Sequence, residues 1–355
     1  MLNLSKNGCS VWVASSTEGL LKPTAVALGK FDGVHLGHHR VIQPILPLAK
    51  GEKTQADGEN LQEHSPQNPR NTTQTQERTY STVVTFDPHP LEFFTGQPRA
   101  LLTPLDEKVQ QLRSLGVEQL VLLPFDKDLS ALSPAEFVDK ILVQQLQCRR
   151  ISVGQDFCFG KQRRGTAKDL QLLAARHDIP VTIVSLQTYT DNTPTQEAPI
   201  STSLIRHYLE SGDIKNANLL LGRSYTLTGV VIQGQQMGRT IGFPTANLQL
   251  PQDKFIPRQG VYAVRVTIVS QTPDATMPTQ IWGVMNIGKR PTVNGSNLSV
   301  EVHLFDWSDD LYGKTLAVQL IEFLRPEQKF PSLEALKTQI QLDCTVAREV
   351  LSAKC

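Results

Sequence analysis

Three glycines and three histidines lie within the thirteen residues at positions 29–41, whose sequence is GKFDGVHLGHHRV. Glycines let backbone amides approach a phosphate closely, and the N-terminus of a following helix adds positive potential. His35 and His38 are three residues apart, so both imidazoles can share one face of a first helical turn. Imidazoles there can donate hydrogen bonds to phosphate oxygens and stabilise the charge that grows as pyrophosphate leaves. The segment therefore predicts a phosphate-binding site.

Two other interpretations of these histidines stay open. Adjacent histidines can bind zinc, although no third histidine or cysteine lies at the spacing of a metal site. They could also be ordinary surface residues, which the context of a strand, glycines and a helix disfavours.

A second glycine-rich segment, at residues 234–250, has the sequence GQQMGRTIGFPTANLQL. Its glycines give a loop that can fold over nucleotide phosphates. The hydroxyl of Thr245 and the amide oxygen of Asn247 are suitable ligands for Mg²⁺ held by ATP. A glycine-rich hairpin with a polar turn is the alternative. Further along, Glu301 alternates with apolar residues in SVEVHLFD and by itself would be an exposed strand charge.

Elements that would position the first segment alternate between strand and helix. Buried strands are predicted at residues 24–29, 81–86, 119–125, 149–154 and 180–186, and helices at 38–49, 103–116, 133–146, 166–178 and 201–213. Such alternation implies a parallel sheet with helices on both faces. Ser133 with Glu136 predicts a capping box. Residues 50–80 are polar and predict a disordered insertion, and residues 187–199 predict a polar loop.

The second half of the chain has a different pattern. Closely spaced strands without intervening helices are predicted at residues 225–233, 260–269, 280–288, 298–306 and 314–324, followed by a closing helix at 332–352. This pattern is typical of an antiparallel barrel or sandwich. We therefore expect an α/β domain over residues 1–221 and an all-β domain over residues 222–355.

Together these segments resemble the family of bifunctional bacterial riboflavin kinase/FAD synthetases. Residues 29–38 are similar to its motif G-x-F-D-G-x-H-x-G-H, whose H-x-G-H core is shared by nucleotidylyltransferases. Residues 234–247 are similar to its flavokinase motif G-x-x-x-G-R-x-x-G-F-P-T-A-N. The resemblance runs from Thr24 to the end, apart from residues 50–80. It implies a Rossmann-like FMN adenylyltransferase domain followed by a riboflavin kinase barrel with a closing helix.

In the first domain the resemblance implies a set of residues that bind ATP: Gly29, Phe31, Asp32, Gly33, His35, His38, Ser201, Thr202, Ser203 and Arg206. His35, His38 and Arg206 would be catalytic, although a simple helix N-cap would also explain the hydroxyl-rich stretch.

The segments TFDPHPLEFF and VGQDFCFGKQRRGT would supply the flavin site with Asp87, His89, Pro90 and Asp156, and a turn after a strand is the alternative for DPHP. The chain departs from the family at Cys158, where arginine is common, and at Pro199, where a basic residue is common. Arg163 or Arg164 is a candidate replacement for the missing cation, although an arginine-rich surface loop is the simpler interpretation.

In the second domain the resemblance implies ATP binding by Gly234, Gly238, Arg239, Gly242, Thr245 and Asn247. Thr245 and Asn247 would also hold Mg²⁺. Glu301 matches the general base that acts on the riboflavin 5′-hydroxyl, and Asn286, Arg290 and Arg325 would contact flavin. A salt bridge is the alternative role for Arg325.

Composition excludes several classes of protein. The chain has 355 residues, 39% hydrophobic and 19% charged, with a formal net charge of +1. It lacks the basic character of a nucleic-acid binder, and its scattered cysteines do not form a disulfide framework. Without an apolar run long enough for a membrane or a signal peptide, we expect a cytoplasmic protein.

The combined expectation is an enzyme that phosphorylates riboflavin to FMN and then adenylylates FMN to FAD, with ATP as co-substrate, Mg²⁺ as cofactor and small molecules as its partners. We expect neither nucleic acid nor a membrane as a partner, and the oligomeric state is open. A kinase with a weak first domain, a non-catalytic flavin sensor, and a plain nucleotidylyltransferase acting on another substrate are the alternatives.

Overall fold

The structure is a computed structural model that describes residues 11–47, 78–190, 197–234, 238, 241–269, 280–292 and 295–353. Most of the insertion predicted at residues 50–80 lies outside the described residues. Its last residue, Tyr80, begins a strand of the sheet, so the predicted end of the insertion is wrong at this residue.

A six-stranded parallel sheet forms the first half, in the order β1–β4–β3–β2–β5–β8. Its strands are β1 (Trp12–Ala14), β2 (Thr24–Leu28), β3 (Tyr80–Asp87), β4 (Gln119–Pro124), β5 (Cys148–Gly154) and β8 (Val181–Val184), and the short strands β6 (Cys158–Phe159) and β7 (Gly165–Thr166) pair separately. Every residue of β2 is buried, as expected for a strand covered on both faces. The sequence analysis missed β1, which pairs with β4 at the edge.

Helices cover both faces of this sheet. Residues of α1 (Leu36–Ile42) and α3 (Leu105–Ser114) pack on one face, and residues of α6 (Ala167–Ala175) pack on the other. The other helices of this half are α2 (Pro90–Thr95), α4 (Lys127–Ala131), α5 (Pro134–Glu136), α7 (Thr202–Ser211) and α8 (Ile214–Leu221). The capping box of Ser133 and Glu136 is present, but the chain after α5 winds as a π-helix over Phe137–Gln145. The polar loop predicted at 187–199 contains two antiparallel strands, β9 (Thr188–Thr190) and β10 (Glu197–Pro199). Pairing there satisfies backbone groups that a loop would leave to water.

The second half is a closed antiparallel barrel in the order β11–β12–β15–β14–β13–β16. Its strands are β11 (Thr226–Ile232), β12 (Ala246–Gln249), β13 (Gly260–Val269), β14 (Gln280–Thr292), β15 (Gly295–Leu304) and β16 (Thr315–Arg325), and the closing helix is α9 (Leu333–Ser352). Tyr262, Met285 and Val302 fill the interior, whereas Ala263 and Val284 face outward against Ala347 of α9. The predicted fold class is confirmed: a parallel α/β half precedes an antiparallel barrel with a closing helix.

Helices α7 and α8 share one hydrophobic core with the barrel. Ile205 and Leu209 of α7 and Leu221 of α8 belong to the same buried cluster as Tyr262 and Leu320. The boundary predicted after residue 221 stays a prediction, and it runs through this packed interface. Within the described part of the chain, no helix is both long enough and apolar enough to cross a membrane.

Candidate active sites

The first motif forms a strained loop between β2 and α1. Phe31 and Val34 have φ values of 47° and 40°, and Gly33 has a φ of 91°. A β-branched residue such as Val34 rarely adopts positive φ, and backbone strain of this kind persists only where the surroundings enforce it. At Gly33 a Cβ would lie 2.9 Å from the Leu102 side chain, so both backbone conformation and space require glycine.

Buried hydrogen bonds from several elements hold this loop. The Oδ1 atom of Asp32 accepts from the backbone N–H of Leu102 at 2.7 Å and of Thr103 at 3.4 Å. The Thr103 hydroxyl accepts from the Gly33 N–H at 3.0 Å, and the Thr202 hydroxyl donates to the Asp32 carbonyl at 2.9 Å. The Asp32 carboxylate is therefore hydrogen-bonded to backbone amides of the protein.

Arg206 completes this arrangement. Its Nη2 lies 2.7 Å from Asp32 Oδ2 and 2.5 Å from the Ala100 carbonyl, and its guanidinium lies over the Phe255 ring. The structure therefore brings Asp32 and Arg206 together, with their charges paired. Their assigned contacts with ATP stay predictions. Ser201 caps α7 by accepting from the Leu204 N–H, as the N-cap interpretation expects, and Ser203 is exposed.

His35 and His38 stack on each other at the start of α1. Their ring centroids are 3.7 Å apart, with 22° between the planes. The backbone N–H of each donates to Nδ1 of the other at 3.3 Å. Because Nδ1 accepts in both rings, the proton of each neutral imidazole lies on Nε2.

Burial controls the charge of this pair. It lowers the pKa of His35 to about 4 and the pKa of His38 well below its usual value. Both rings are therefore neutral at pH 7 and offer Nε2–H as a hydrogen-bond donor. Among the described residues, no group of three or more His, Cys, Asp or Glu side chains is placed to hold a metal, so zinc binding is not supported.

The predicted flavin residues of the first half follow the carboxyl end of β3. Asp87 ends that strand, His89 caps α2 by accepting from the Leu91 N–H at 3.0 Å, and Pro90 begins the helix. Burial, followed by the charges of Lys30 and Arg99, lowers the pKa of His89 to about 4. His89 is therefore neutral near two cations.

The sequence analysis missed an aromatic cluster beside these residues. The rings of Phe86, Phe93, Phe94 and Phe125 meet edge to face, with centroids 5.2–5.8 Å apart. Phe94 is 70% exposed, which is unusual for a phenylalanine and suits contact with a planar ring. The available sequence signal was the pair of phenylalanines that ends TFDPHPLEFF.

Lys30 interacts with several charged side chains of the first half. Burial, then the charges of Arg163 and Arg99, lowers the pKa of Lys30, and Asp156 acts on it in the opposite direction. Lys30 and Arg99 were not singled out from the sequence. The Cys158 thiol faces the Asp156 carbonyl at 3.6 Å. Arg163 and Arg164 are both exposed, as the surface-loop interpretation expects, and their replacement of the missing cation stays a prediction.

In the barrel, strand register aligns the predicted kinase residues. Asn247 pairs with Glu301, Glu301 with Asn286, Asn286 with Val261, and Val261 with Arg325. Directly paired residues point to the same face of a sheet. Their neighbours Val300, Val302, Met285 and Ile287 fill the interior, so this row lies on the outer surface of the barrel.

Both oxygens of Glu301 accept hydrogen bonds from hydroxyls. Thr245 Oγ1 lies 3.2 Å from Oε2, and Ser299 Oγ lies 3.1 Å from Oε1. Ser299 was missed by the sequence analysis, although it stands two residues before Glu301 on the same strand face. The Pro244 carbonyl lies 2.8 Å from Nδ1 of His303, which anchors the loop that carries Thr245.

Two glycines of the glycine-rich segment, Gly234 and Gly238, lie against this corner. A Cβ at Gly234 would overlap the Asn247 amide, and a Cβ at Gly238 would overlap the Phe243 carbonyl and lie 3.3 Å from Thr245 Oγ1. Gly242 has a φ of 88° and no atom near its Cβ position. Arg239 and the side chain of Arg290 lie outside the described residues, so their predicted roles have no structural counterpart here.

Arg325 stands at the end of the row in a buried ion pair. Its Nε and Nη2 lie 2.9 and 2.7 Å from the carboxylate of Asp343 on α9, in a bidentate arrangement. The salt-bridge alternative therefore describes its contacts in this structure, and its contact with flavin stays a prediction.

Comparison with known proteins agrees with both halves of the chain. A family model described as FAD synthetase matches residues 18–57 and 68–197, and one described as riboflavin kinase matches residues 221–351. A bifunctional riboflavin kinase/FMN adenylyltransferase of Escherichia coli (strain K12) is 37% identical over 325 residues, covering 91% of each chain. One of Bacillus subtilis (strain 168) is 34% identical, covering 90% of each.

A solved structure shares the architecture over nearly the whole length. It is titled as a macrolide-efflux protein from Streptococcus pneumoniae and is 27% identical, with a TM-score of 0.74. The match covers 96% of this chain and 99% of that one.

Proposed function

This chain belongs to the family of bifunctional riboflavin kinase/FMN adenylyltransferases, and from that premise we propose which of its residues carry each reaction. The enzyme phosphorylates riboflavin with ATP to give FMN and ADP. It then joins FMN to the AMP part of ATP, giving FAD and pyrophosphate. We assign the phosphorylation to the barrel and the adenylyl transfer to the first half, with the division after residue 221.

Glu301 is the general base of the kinase reaction. Its carboxylate takes the proton of the riboflavin 5′-hydroxyl as that oxygen attacks the γ-phosphate of ATP. The hydroxyls of Thr245 and Ser299 hold it in a fixed orientation. Riboflavin would lie along the outer row that contains Asn286 and ends at Arg325, and Arg290, further along the strand of Asn286, is its other proposed contact.

The residues at this corner fit a magnesium ion. The proton of the Thr245 hydroxyl is directed to Glu301, which leaves the oxygen lone pairs available as a hard ligand. The amide of Asn247, whose oxygen is the second possible ligand, packs against Gly234, where any side chain would displace it. Mg²⁺ is commonly held by one or two protein oxygens together with substrate phosphates. When bound, it would neutralise charge on the phosphates of ATP.

Adenylyl transfer needs no protein nucleophile, because the FMN phosphate is itself a nucleophile at neutral pH. The protein must position two substrates and stabilise the leaving pyrophosphate. His35 and His38 present Nε2–H donors for that purpose, and the observation that supports this assignment is their reciprocal hydrogen bonding through Nδ1. Gly29, Gly33, Ser201, Thr202 and Ser203 surround the nucleotide, and Phe31, whose side chain is fully buried, would reach it only through its backbone. Asp32 and Arg206, which pair with each other, are the remaining ATP contacts, with Arg206 catalytic.

FMN would lie at the carboxyl end of β3. Asp87, His89 and Pro90 follow that strand next to the exposed aromatic cluster. Asp156 is assigned to the same site because it acts on Lys30, whose charge in turn acts on His89. We also propose that the enzyme works in the cytoplasm on small molecules, with neither nucleic acid nor a membrane as a partner.

Two variants, each assayed for both reactions, test the kinase and adenylyltransferase assignments separately. Glu301→Gln should abolish FMN formation from riboflavin but retain FAD formation from supplied FMN, whereas His38→Ala should do the reverse. Glu349→Gln and His177→Ala, which change exposed side chains elsewhere, are matched controls. Near-normal phosphorylation by the Glu301 variant would exclude it as the base, and near-normal adenylylation by the His38 variant would exclude the imidazole assignment.

A further inference from the structure

Arg223 lies just beyond α8, on the barrel side of the proposed division, yet it contacts the motif loop of the first half. Its Nη2 donates to the Gly33 carbonyl at 2.7 Å, and its Nη1 donates to the Val34 carbonyl at 3.1 Å. Nη1 also lies 3.3 Å from the Leu221 carbonyl. One guanidinium therefore ties two successive carbonyls of the strained loop to the end of α8.

The Val34 carbonyl is held from a second side. Nε2 of His39 lies 3.1 Å from the same oxygen. Val34 is the β-branched residue with positive φ, so its peptide group is one that an unrestrained chain would rotate away. The two donors keep it in place.

A planar peptide unit transmits this restraint to the histidine pair. The Val34 carbonyl and the His35 N–H belong to one rigid unit and point in opposite directions. The His35 N–H donates to Nδ1 of His38 at 3.3 Å. Holding the carbonyl towards Arg223 therefore holds the N–H towards His38, which keeps the His38 proton on Nε2.

We propose that Arg223 is a positioning residue for adenylyl transfer: through the peptide unit between Val34 and His35 it keeps the Nε2–H of His38 directed at the leaving pyrophosphate. The inference rests on the proposed role of His38. Arg223 does not touch the reacting atoms, and its place after α8 makes the adenylylation site depend on a residue from the barrel side.

A second contact from the barrel half supports the same loop. Lys254 Nζ donates to the Leu102 carbonyl at 2.9 Å. The amides of Leu102 and Thr103 bind Asp32, and the Thr103 hydroxyl binds the Gly33 N–H. Arg223 thus restrains the loop directly, and Lys254 restrains it through Leu102.

Arg223→Gln tests the proposal, and Arg258→Gln is its matched control. Arg258 is another arginine of the barrel half, and it donates to the Ser211 carbonyl of α7 at 2.8 Å. For Arg223→Gln we expect kcat for FAD formation from supplied FMN to fall about 10- to 100-fold, with KM for ATP changed by less than about threefold. Riboflavin phosphorylation should stay within about twofold, and Arg258→Gln should retain both activities.

Nitrogen-15 NMR of the histidine rings reads the tautomer directly. In the unmodified enzyme Nδ1 of His38 should be unprotonated, and in Arg223→Gln its signal should move towards a mixture of tautomers. Arg223→Lys, which keeps the charge and one donor, should recover part of the adenylylation rate.

Several results would overturn the proposal. These are an unchanged kcat for adenylylation in Arg223→Gln, an unchanged His38 signal, or equal loss of both activities in both Arg223 variants, which would indicate a general folding role. Measuring His38→Ala in parallel distinguishes a wrong role for His38 from a wrong role for Arg223. If that variant adenylylates normally, the role of His38 is wrong; if it is inactive while Arg223→Gln is normal, only the role of Arg223 is wrong.

Discussion

Removal of Lys254 should destabilise the protein by an amount that depends strongly on pH. The side chain of Lys254 is fully buried and that of Glu107 is 14% exposed, with Nζ 2.5 Å from Oε2. Oε1 of Glu107 has no hydrogen-bond partner among the described residues. Burial raises the pKa of Glu107, and the charge of Lys254 opposes that shift. The charge of Arg223 opposes it as well, so loss of Lys254 should raise the pKa of Glu107 further and favour the protonated carboxyl in the folded state.

The expected magnitude follows from the protonation of Glu107. Protonating a carboxyl whose pKa is about 4.3 in the unfolded chain costs about 3.7 kcal/mol at pH 7 and about 1 kcal/mol at pH 5. The Leu102 carbonyl also loses a donor, which adds about 1 kcal/mol. Lys254→Met should thus lower the free energy of unfolding by about 4–5 kcal/mol at pH 7 and about 2 kcal/mol at pH 5. This pH dependence is that of a carboxyl whose pKa is higher in the folded than in the unfolded state. The loss of unfolding free energy is absent below the unfolded pKa and grows as pH rises above it.

Urea unfolding of Lys254→Met at both pH values, followed by tryptophan fluorescence, measures this difference. The double variant Lys254→Met/Glu107→Leu removes the stranded carboxyl and should recover at least half of the loss at pH 7, with little dependence on pH. An equal loss at pH 5 and pH 7, or a double variant as unstable as the single one, would show that the buried charge is not the cause.

The remaining predictions concern the two sites. Because burial lowers the pKa of His35 to about 4 and the pKa of His38 well below its usual value, both rings stay neutral as pH falls, and kcat for FAD formation should be constant from pH 8 to pH 5. A fall in kcat at low pH with a midpoint near pH 6.5 would contradict this. We use kcat rather than kcat/KM because the phosphate of free FMN titrates near pH 6. Phe94→Ala should raise KM for FMN about tenfold and leave KM for ATP unchanged, since the exposed ring is expected to contact only flavin. Leu172→Ala, at another exposed apolar side chain, is its control, and an unchanged KM for FMN would remove the aromatic cluster from the site. Arg325→Met should strand the carboxylate of Asp343 and lower the melting temperature, and Asp343→Leu added to it should restore stability. If the restored double variant binds riboflavin normally, Arg325 has only its structural role.

Local sequence patterns predicted the elements well. Buried apolar runs located β2 to β5, and Ser133 with Glu136 predicted the capping box that is observed. Patterns failed where the outcome depended on distant partners. β1 is three residues long and exists because it pairs with β4, more than a hundred residues away. The strands β9 and β10 are close in the sequence, but they form from a polar stretch through backbone pairing, which the polarity of the side chains does not indicate.

Sequence motifs also indicated which residue types would serve each reaction, but not how those residues are held. The spacing of His35 and His38 predicted a shared helical face, whereas their neutral state arises from burial. Asp32 and Arg206 both looked like ligand contacts, and only the fold shows that their charges are paired across 174 positions of the chain.

By itself, the sequence determined the two-part architecture and indicated two glycine-rich segments as candidate sites, because helical period, strand alternation and motif spacing are properties of neighbouring residues. Only the tertiary structure decided that Asn247, Glu301 and Asn286 stand in one row, since strand register is set when separate strands meet. Only the tertiary structure shows that Arg223 donates hydrogen bonds to the carbonyls of Gly33 and Val34. No spacing in the chain predicts that contact, because packing between the two halves of the molecule creates it.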